Sequence, residues 1–173
     1  MRILGEPAYN TPRIKSVQIE NVRKFKKLNL KFSPGLNVVS TVERGSGKST
    51  LLALLSRSIQ DGFMLYGPNV RHGARTGHLR VEYAPFNFTF NKNGVPGCYG
   101  LLMLNDFKQL KAYVREIPND QCFLLELDWF SPKVPREEIL KELSKARCQV
   151  IATVMEHTLR GKKLPKGTKV IEI

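Results

Sequence analysis

What this chain has little of narrows it first. Its three cysteines, Cys98, Cys122 and Cys148, are odd in number, widely spaced and without a C-x-x-C pair, which excludes a disulfide framework and a cysteine zinc site. Cys122 and Cys148 lie in apolar runs, where a free thiol packs as a small core residue, and all three are read as structural. Carboxylates are scarce as well: 15 Asp and Glu stand against 28 Lys and Arg, a formal net charge of +13. So large an excess calls for an anionic partner, and nucleic acid is the natural one; charge alone specifies neither DNA nor RNA, and DNA is the favoured expectation. No apolar run reaches the length of a membrane span. Met1–Pro7 carries one basic residue and lacks the continuous apolar core of a secretion signal. A cytoplasmic protein with no membrane partner is therefore expected.

What is present describes a globular chain. Hydrophobic residues at 42% and charged residues at 25% are ordinary proportions, and 173 residues suffice for one domain, 1–173, with a sizeable core. Basic residues gather in Arg23–Lys27, Arg71–Arg75 and Arg160–Lys163, the last followed by Lys166 and Lys169. The second and third groups sit among glycines and read as exposed loops. They are the expected nucleic-acid contacts, against a plainer reading as solvated surface.

Ile14–Glu20 and Leu28–Phe32 alternate apolar and polar residues with the period of half-buried strands, and Ser33-Pro34-Gly35 turns the chain into a short buried strand, Leu36–Ser40. Leu51, Leu52, Leu54 and Leu55 give the next segment an apolar helical face. Leu79–Tyr83 and Phe86–Phe90, joined by alternation and followed by the turn Asn91–Gly94, predict a small antiparallel sheet. An amphipathic helix is expected over 105–115, a buried strand over Cys122–Leu127, a helix over Arg136–Ala146, a buried strand over Gln149–Val154 and a closing strand at Lys169–Ile173. The whole is α/β.

Between the third strand and the first helix lies Gly45-Ser46-Gly47-Lys48-Ser49-Thr50. Glycines allow the backbone to turn tightly and bring N–H groups onto phosphate oxygens, and the helix that follows adds its positive end. A lysine at the position of Lys48 reaches the β- and γ-phosphates, and a hydroxyl at that of Ser49 completes the coordination of Mg²⁺. Arg44 to Thr50 are thus the candidate nucleotide-binding residues. The full pattern G-x-x-x-x-G-K-[ST] wants a glycine where Val42 stands, followed here by Glu43 and Arg44. A β-branched residue resists positive φ, and Glu43 brings a carboxylate toward the phosphates.

Taken together, these pieces resemble the compact ATPases of the ABC class, in the branch of SMC-like and RecF-like heads and related predicted defence ATPases. Val17–Phe25 is similar to that branch's opening "I-x-N-F-R-x-F", Phe32–Val38 to its approach to the loop, and Gly45–Thr50 to its "N-G-S-G-K-S-T" ending, with Arg44 in the asparagine's place. Cys122–Asp128 resembles its hydrophobic strand ending in acidic residues, Val150–Thr153 the strand before its switch histidine, and Leu164–Val170 its close. The resemblance implies a P-loop NTPase sheet with an antiparallel β subsheet and flanking helices, ATP with Mg²⁺ as cofactors, and a homodimer or partner protein completing the site. It implies catalytic roles for Glu126, Asp128 and His157, and metal contacts from Ser49, Glu126 and Asp128.

Departures from that pattern concern catalysis. The family's adjacent Asp-Glu pair is split here by Leu127; alternate residues of a strand share a face, so both carboxylates can point toward Mg²⁺, or can end the strand in solvent. Val154-Met155-Glu156 intervenes before His157. Gly97–Gly100 lacks the serine of the family's signature turn. Two expectations follow: a slow ATPase acting with nucleic acid, or a catalytically degenerate relative serving as a nucleic-acid-binding or scaffold subunit. A small nucleotide kinase shares the loop but not the leading hairpin.

Overall fold

Alternation of buried and exposed side chains makes the first strand, β1 (Ile14–Val22), a one-faced element: Ile14, Val17, Ile19 and Val22 are buried while the residues between them are wholly or partly exposed. In this computed structural model, which describes residues 14–60, 70–83, 106–117 and 122–173, β1 pairs antiparallel with β2 (Phe25–Lys31) on one side and with β4 (His78–Tyr83) on the other. The expected strand Phe86–Phe90, the turn 91–94, Gly97–Gly100 and Cys98 lie outside the described residues. β2 begins at Phe25, three residues before the expected start, because the β1–β2 turn is confined to Arg23 and Lys24. Its basic residues Lys26 and Lys27 are exposed, and only Phe25 and Leu30 turn fully inward.

The second sheet is parallel, in the order β5 (Cys122–Glu126), β6 (Gln149–Met155), β3 (Leu36–Thr41), β7 (Lys169–Glu172). Its inner strands are buried almost throughout, polar residues included, because both of its faces are covered. β3 and β5 are buried at every position. The face carrying Val39, Leu124 and Ile151 packs with the antiparallel sheet and with Leu51, Leu52, Leu54 and Leu55 of α1 (Lys48–Gln60). The face carrying Val38, Phe123, Leu125, Val150 and Ala152 packs with α2 (Phe107–Glu116) and α3 (Arg136–Leu143). Cys122 and Cys148 are buried, one in each apolar cluster, as their surroundings in the sequence suggest.

The helices begin and end for local reasons. Asp106 caps α2 by accepting from the Lys108 N–H at 2.8 Å. Glu137 and Glu138 occupy the first turn of α3, where the helix dipole favours negative charge. α3 closes at Leu143, short of the expected Ala146, because its last turn tightens: Lys145 N–H donates to Glu142 O and Ala146 N–H to Leu143 O.

One buried side chain ties the two sheets. The Gln149 amide, 1% exposed, accepts from Ile14 N–H at 2.9 Å and donates to Ile14 O at 2.9 Å and Ser33 O at 2.8 Å. It behaves as an extra peptide unit at the end of β1, so no buried polar group is left unmade there. Asn37 does the same for the 33–35 turn, accepting from Ser33 N–H and donating to Ser33 O, Gly35 O and Val150 O.

Candidate functional site

Because β3, β5 and β6 run parallel, their C-terminal ends meet at one edge, where β6 is interposed between β3 and β5. A chain reversal of this kind opens a crevice beyond the carboxyl ends of the strands. The loop after β3 fills it. Gly45 (φ 74°) and Gly47 (φ 108°) adopt backbone angles closed to most L-residues, and α1 starts directly at Lys48. Gly47 has a second reason to lack a side chain: a Cβ there would lie 2.5 Å from Cζ of Phe25, whose ring supports the loop from β2.

Together these residues enclose a cleft of about 450 Å³ lined by Gly45–Thr50, Glu126 and the β1–β2 turn residues Arg23 and Lys24. Lys48 is 7% exposed; its Nζ lies 3.5 Å from Oδ2 of Asp128 and donates to Sδ of Met155 at 3.0 Å. Ser49 Oγ donates to Oε2 of Glu126 at 2.8 Å. The two strand-end carboxylates thus divide the loop between them, one on the lysine and one on the hydroxyl. Ser46 Oγ is buried without a hydrogen-bond partner, an acceptor and donor left over inside the loop.

The acidic strand differs from expectation in how it delivers its carboxylates. β5 ends at Glu126, and Leu127–Trp129 form a 3₁₀ turn, so Asp128 reaches Lys48 from a turn and not from the same strand face as Glu126. Met155 N–H holds Asp128 through Oδ1 at 3.2 Å. Behind the turn, Arg136 donates to the carbonyls of Phe130, Ser131 and Val134 and fixes the segment that follows. Burial pulls the Arg136 guanidinium below its ordinary pKa, and the neighbouring Asp128 charge works in the opposite direction. It stays protonated.

Val42 stands clear of the cleft: it is 70% exposed and is not among the described residues with positive φ. Glu43 and Arg44 are exposed too, and neither lines the cleft. His157 is exposed in the 3₁₀ turn Glu156–Thr158 after β6 and does not line it either. Gly45, Ser46, Gly47, Lys48, Ser49, Thr50 and Glu126 are gathered there, with Asp128 joined through Lys48.

Residues outside the glycine loop complete the picture. Arg23 and Lys24, read from sequence as part of a nucleic-acid patch, face the cleft instead, and Lys24 Nζ stands 2.8 Å from where a Cβ of Gly45 would be. Their turn is held in place by Arg71, whose N–H donates to Asn21 O and whose Nη1 donates to Lys24 O, each at 2.8 Å. Asn21 and Arg23 take left-handed φ (52° and 47°), unusual outside glycine, and the asparagine, which tolerates that region, is the cue the sequence offers. Met155 offered no cue at all. Among the described residues, no three His, Cys, Asp or Glu side chains cluster as a self-sufficient metal site.

Part of the chain is similar to solved RecF structures. In "Structure of the recombination mediator protein RecF-ATP in RecFOR pathway" the identity is 26% over 44% of this chain and 21% of that one, with a TM-score of 0.37. In the corresponding RecF-ATPrS structure it is 22% over 51% and 26%, with a TM-score of 0.39. This chain therefore spans about a quarter or less of the RecF chains it matches. No protein-family model and no curated protein matches the sequence.

Proposed function

We propose that this chain is a P-loop ATPase domain of the SMC and RecF-like ABC class that binds ATP with Mg²⁺, hydrolyses it slowly and acts with nucleic acid. The observation that carries the reading is the convergence of Lys48 and Ser49, at the start of α1, with Asp128 and Glu126, at the end of the neighbouring acidic strand. A glycine loop, a lysine, a hydroxyl and two carboxylates around one cleft suit a triphosphate and a hard cation. The oxygen donors present fit Mg²⁺, which takes one or two carboxylates together with substrate phosphates and water. Bound there, the metal supplies charge neutralisation on the phosphates.

The protein's own residues then have defined tasks. Loop N–H groups and the α1 N-terminus orient the phosphates, Lys48 exchanges its Asp128 contact for phosphate oxygens, and Arg23 and Lys24 add positive charge from the opposite wall. Ser49 and Glu126 hold the cation side, and Glu126 or Asp128 orients the attacking water. Phosphoryl transfer demands positioning and electrostatic stabilisation above all, and rigid strand ends provide both. A second copy or a partner protein closes the cleft, whose far side is open.

A second reading, a non-hydrolysing nucleic-acid-binding or scaffold subunit, is favoured by one observation: His157 stands outside the cleft while Lys48 and Ser49 are engaged by the only two acidic groups offered as catalysts. Calorimetric titration of wild type and Lys48→Ala with Mg-ATP, with phosphate release followed on the same samples, separates the two. Binding and turnover that both vanish in Lys48→Ala are expected. Binding without turnover selects the second reading, and a folded wild type that binds no Mg-ATP overturns the nucleotide site.

A further inference from the structure

The basic groups that stand out in the sequence lie in turns, loops and strands, yet the folded chain assembles another cationic surface from α2 and the chain just beyond α3. On α2, Lys108, Lys111 and Arg115 are exposed at spacings of three and four residues, a single stripe along the helix. At the end of that stripe a cleft of about 350 Å³ is lined by Val114 and Arg115 from α2 and by Glu142, Lys145 and Arg147 from the end of α3 and the chain beyond it. Five cations thus follow one another across two elements distant in sequence.

Among the described residues, one of the five, Lys145, is neutralised by a direct ion pair. Glu142 is buried and taken up by Lys145 at 2.6 Å, while Glu116 is exposed beside Arg115. Among the described residues, neither Arg115 nor Arg147 takes part in an ion pair. Two guanidinium groups are therefore presented to solvent on a chain whose net charge is already +13. Such an arrangement raises the free energy of the isolated surface and lowers it when phosphates arrive and counterions leave.

Its position is equally informative. Arg115 precedes β5 and Arg147 precedes β6, so the surface lies at the N-terminal edge of the parallel sheet. The phosphate loop lies at the opposite edge, beyond strands of five to seven residues, or roughly 15–25 Å away. We infer that the α2–α3 surface around Arg115 and Arg147 is a docking site for the phosphate backbone of a nucleic acid, separate from the nucleotide cleft. The inference rests on the nucleic-acid part of the proposed function and adds where contact is made: nucleic acid and Mg-ATP bind together, without competing. Guanidinium groups suit the task because their forked donors match phosphate oxygens in pairs.

The test is fluorescence anisotropy of the full chain with a labelled DNA duplex of about 20 base pairs, titrated over a range of salt. Arg115→Gln/Arg147→Gln is compared with the charge-matched Lys15→Gln/Lys31→Gln, exposed positions on β1 and β2 outside every basic group named above. Each lost phosphate contact lowers the slope of log K against log salt by about 0.9, so the arginine pair is expected to reduce it by about 1.8 and affinity at 0.1 M salt by roughly 60-fold. The lysine pair is expected to change little, and Arg115→Lys/Arg147→Lys to recover most of the binding. All the substituted residues are exposed, and unchanged unfolding midpoints verify folding.

If both double variants weaken binding equally, or neither does, the docking face is overturned while the nucleic-acid reading stands. A folded wild type that binds no DNA or RNA overturns both. Equal affinity for polyglutamate at matched charge assigns the surface to an acidic protein instead and also overturns the inference. Competition between saturating Mg-ATP and DNA overturns the separation of the two sites.

Discussion

Replacing Gly47 by alanine probes the architecture of the phosphate loop with a single methyl group. The new Cβ faces two penalties. At φ 108° an L-residue is in a region essentially reserved for glycine, costing on the order of 1–3 kcal/mol. It also falls 2.5 Å from Phe25 Cζ and 3.0 Å from Cε1, about 1 Å short of an unstrained carbon contact, in a ring that is itself only 7% exposed. Forcing a methyl into such packing costs a further ~1–3 kcal/mol. Gly47→Ala should therefore lose about 2–6 kcal/mol by urea denaturation, a large share of a domain's stability, and Mg-ATP affinity should fall with it. The two penalties separate in a Phe25→Leu background, where the shorter side chain frees the space: the steric share of the Gly47→Ala cost should vanish and the backbone share remain. Gly35→Ala, with nothing within 4 Å of its Cβ position, serves as the control and should change stability by less than about 1 kcal/mol. A Gly47→Ala variant within ~0.5 kcal/mol of wild type would refute the reasoning outright, and an undiminished cost in the Phe25→Leu background would refute the role given to the ring.

Other outcomes follow from the same geometry. Gln149→Leu removes three hydrogen bonds and leaves the Ile14 peptide without its partners, so a loss of about 1–3 kcal/mol is expected from denaturation curves; an unchanged midpoint would contradict the tie between the sheets. Hydrogen bonding from Arg160 holds the Glu156 carboxyl below its usual pKa, and Glu156 in turn raises that of Arg160. Because the folded-state value is the lower one, whatever the pair contributes is present above the ordinary glutamate pKa and disappears as pH falls through the depressed value. Carboxyl-resonance titration should find Glu156 below 4.5, returning upward in Arg160→Ala, and no difference between the two proteins would dismiss the pair.

Much of the fold can be read from periodicity because burial here is simple. β1 alternates since one of its faces is wet, and β3, β5 and β6 lack that alternation since both of their faces are dry. The glycine loop was legible because its chemistry is local, six consecutive residues with the geometry built in. What escaped depends on long-range placement. Lys24 belongs to a run of basic residues whose composition says only "surface", and it is the closure of a two-residue turn against Arg71 that sends it to the cleft. Asp128 reads as a strand residue two places after Glu126, but the strand stops and the 3₁₀ turn re-aims it. Met155 touches Lys48 only because β6 lies beside β3, a strand order that no local pattern encodes.

The β1–β2 hairpin is fastened to the parallel sheet at two remote points. At one end the Ile14 peptide is locked to Gln149, at the start of β6; at the other the Phe25 ring sits where Gly47 has no side chain. The apolar face of the hairpin fills the space between them. The phosphate loop therefore rests on a stretch of chain that precedes it, and the room left for its curvature is set by the Phe25 ring.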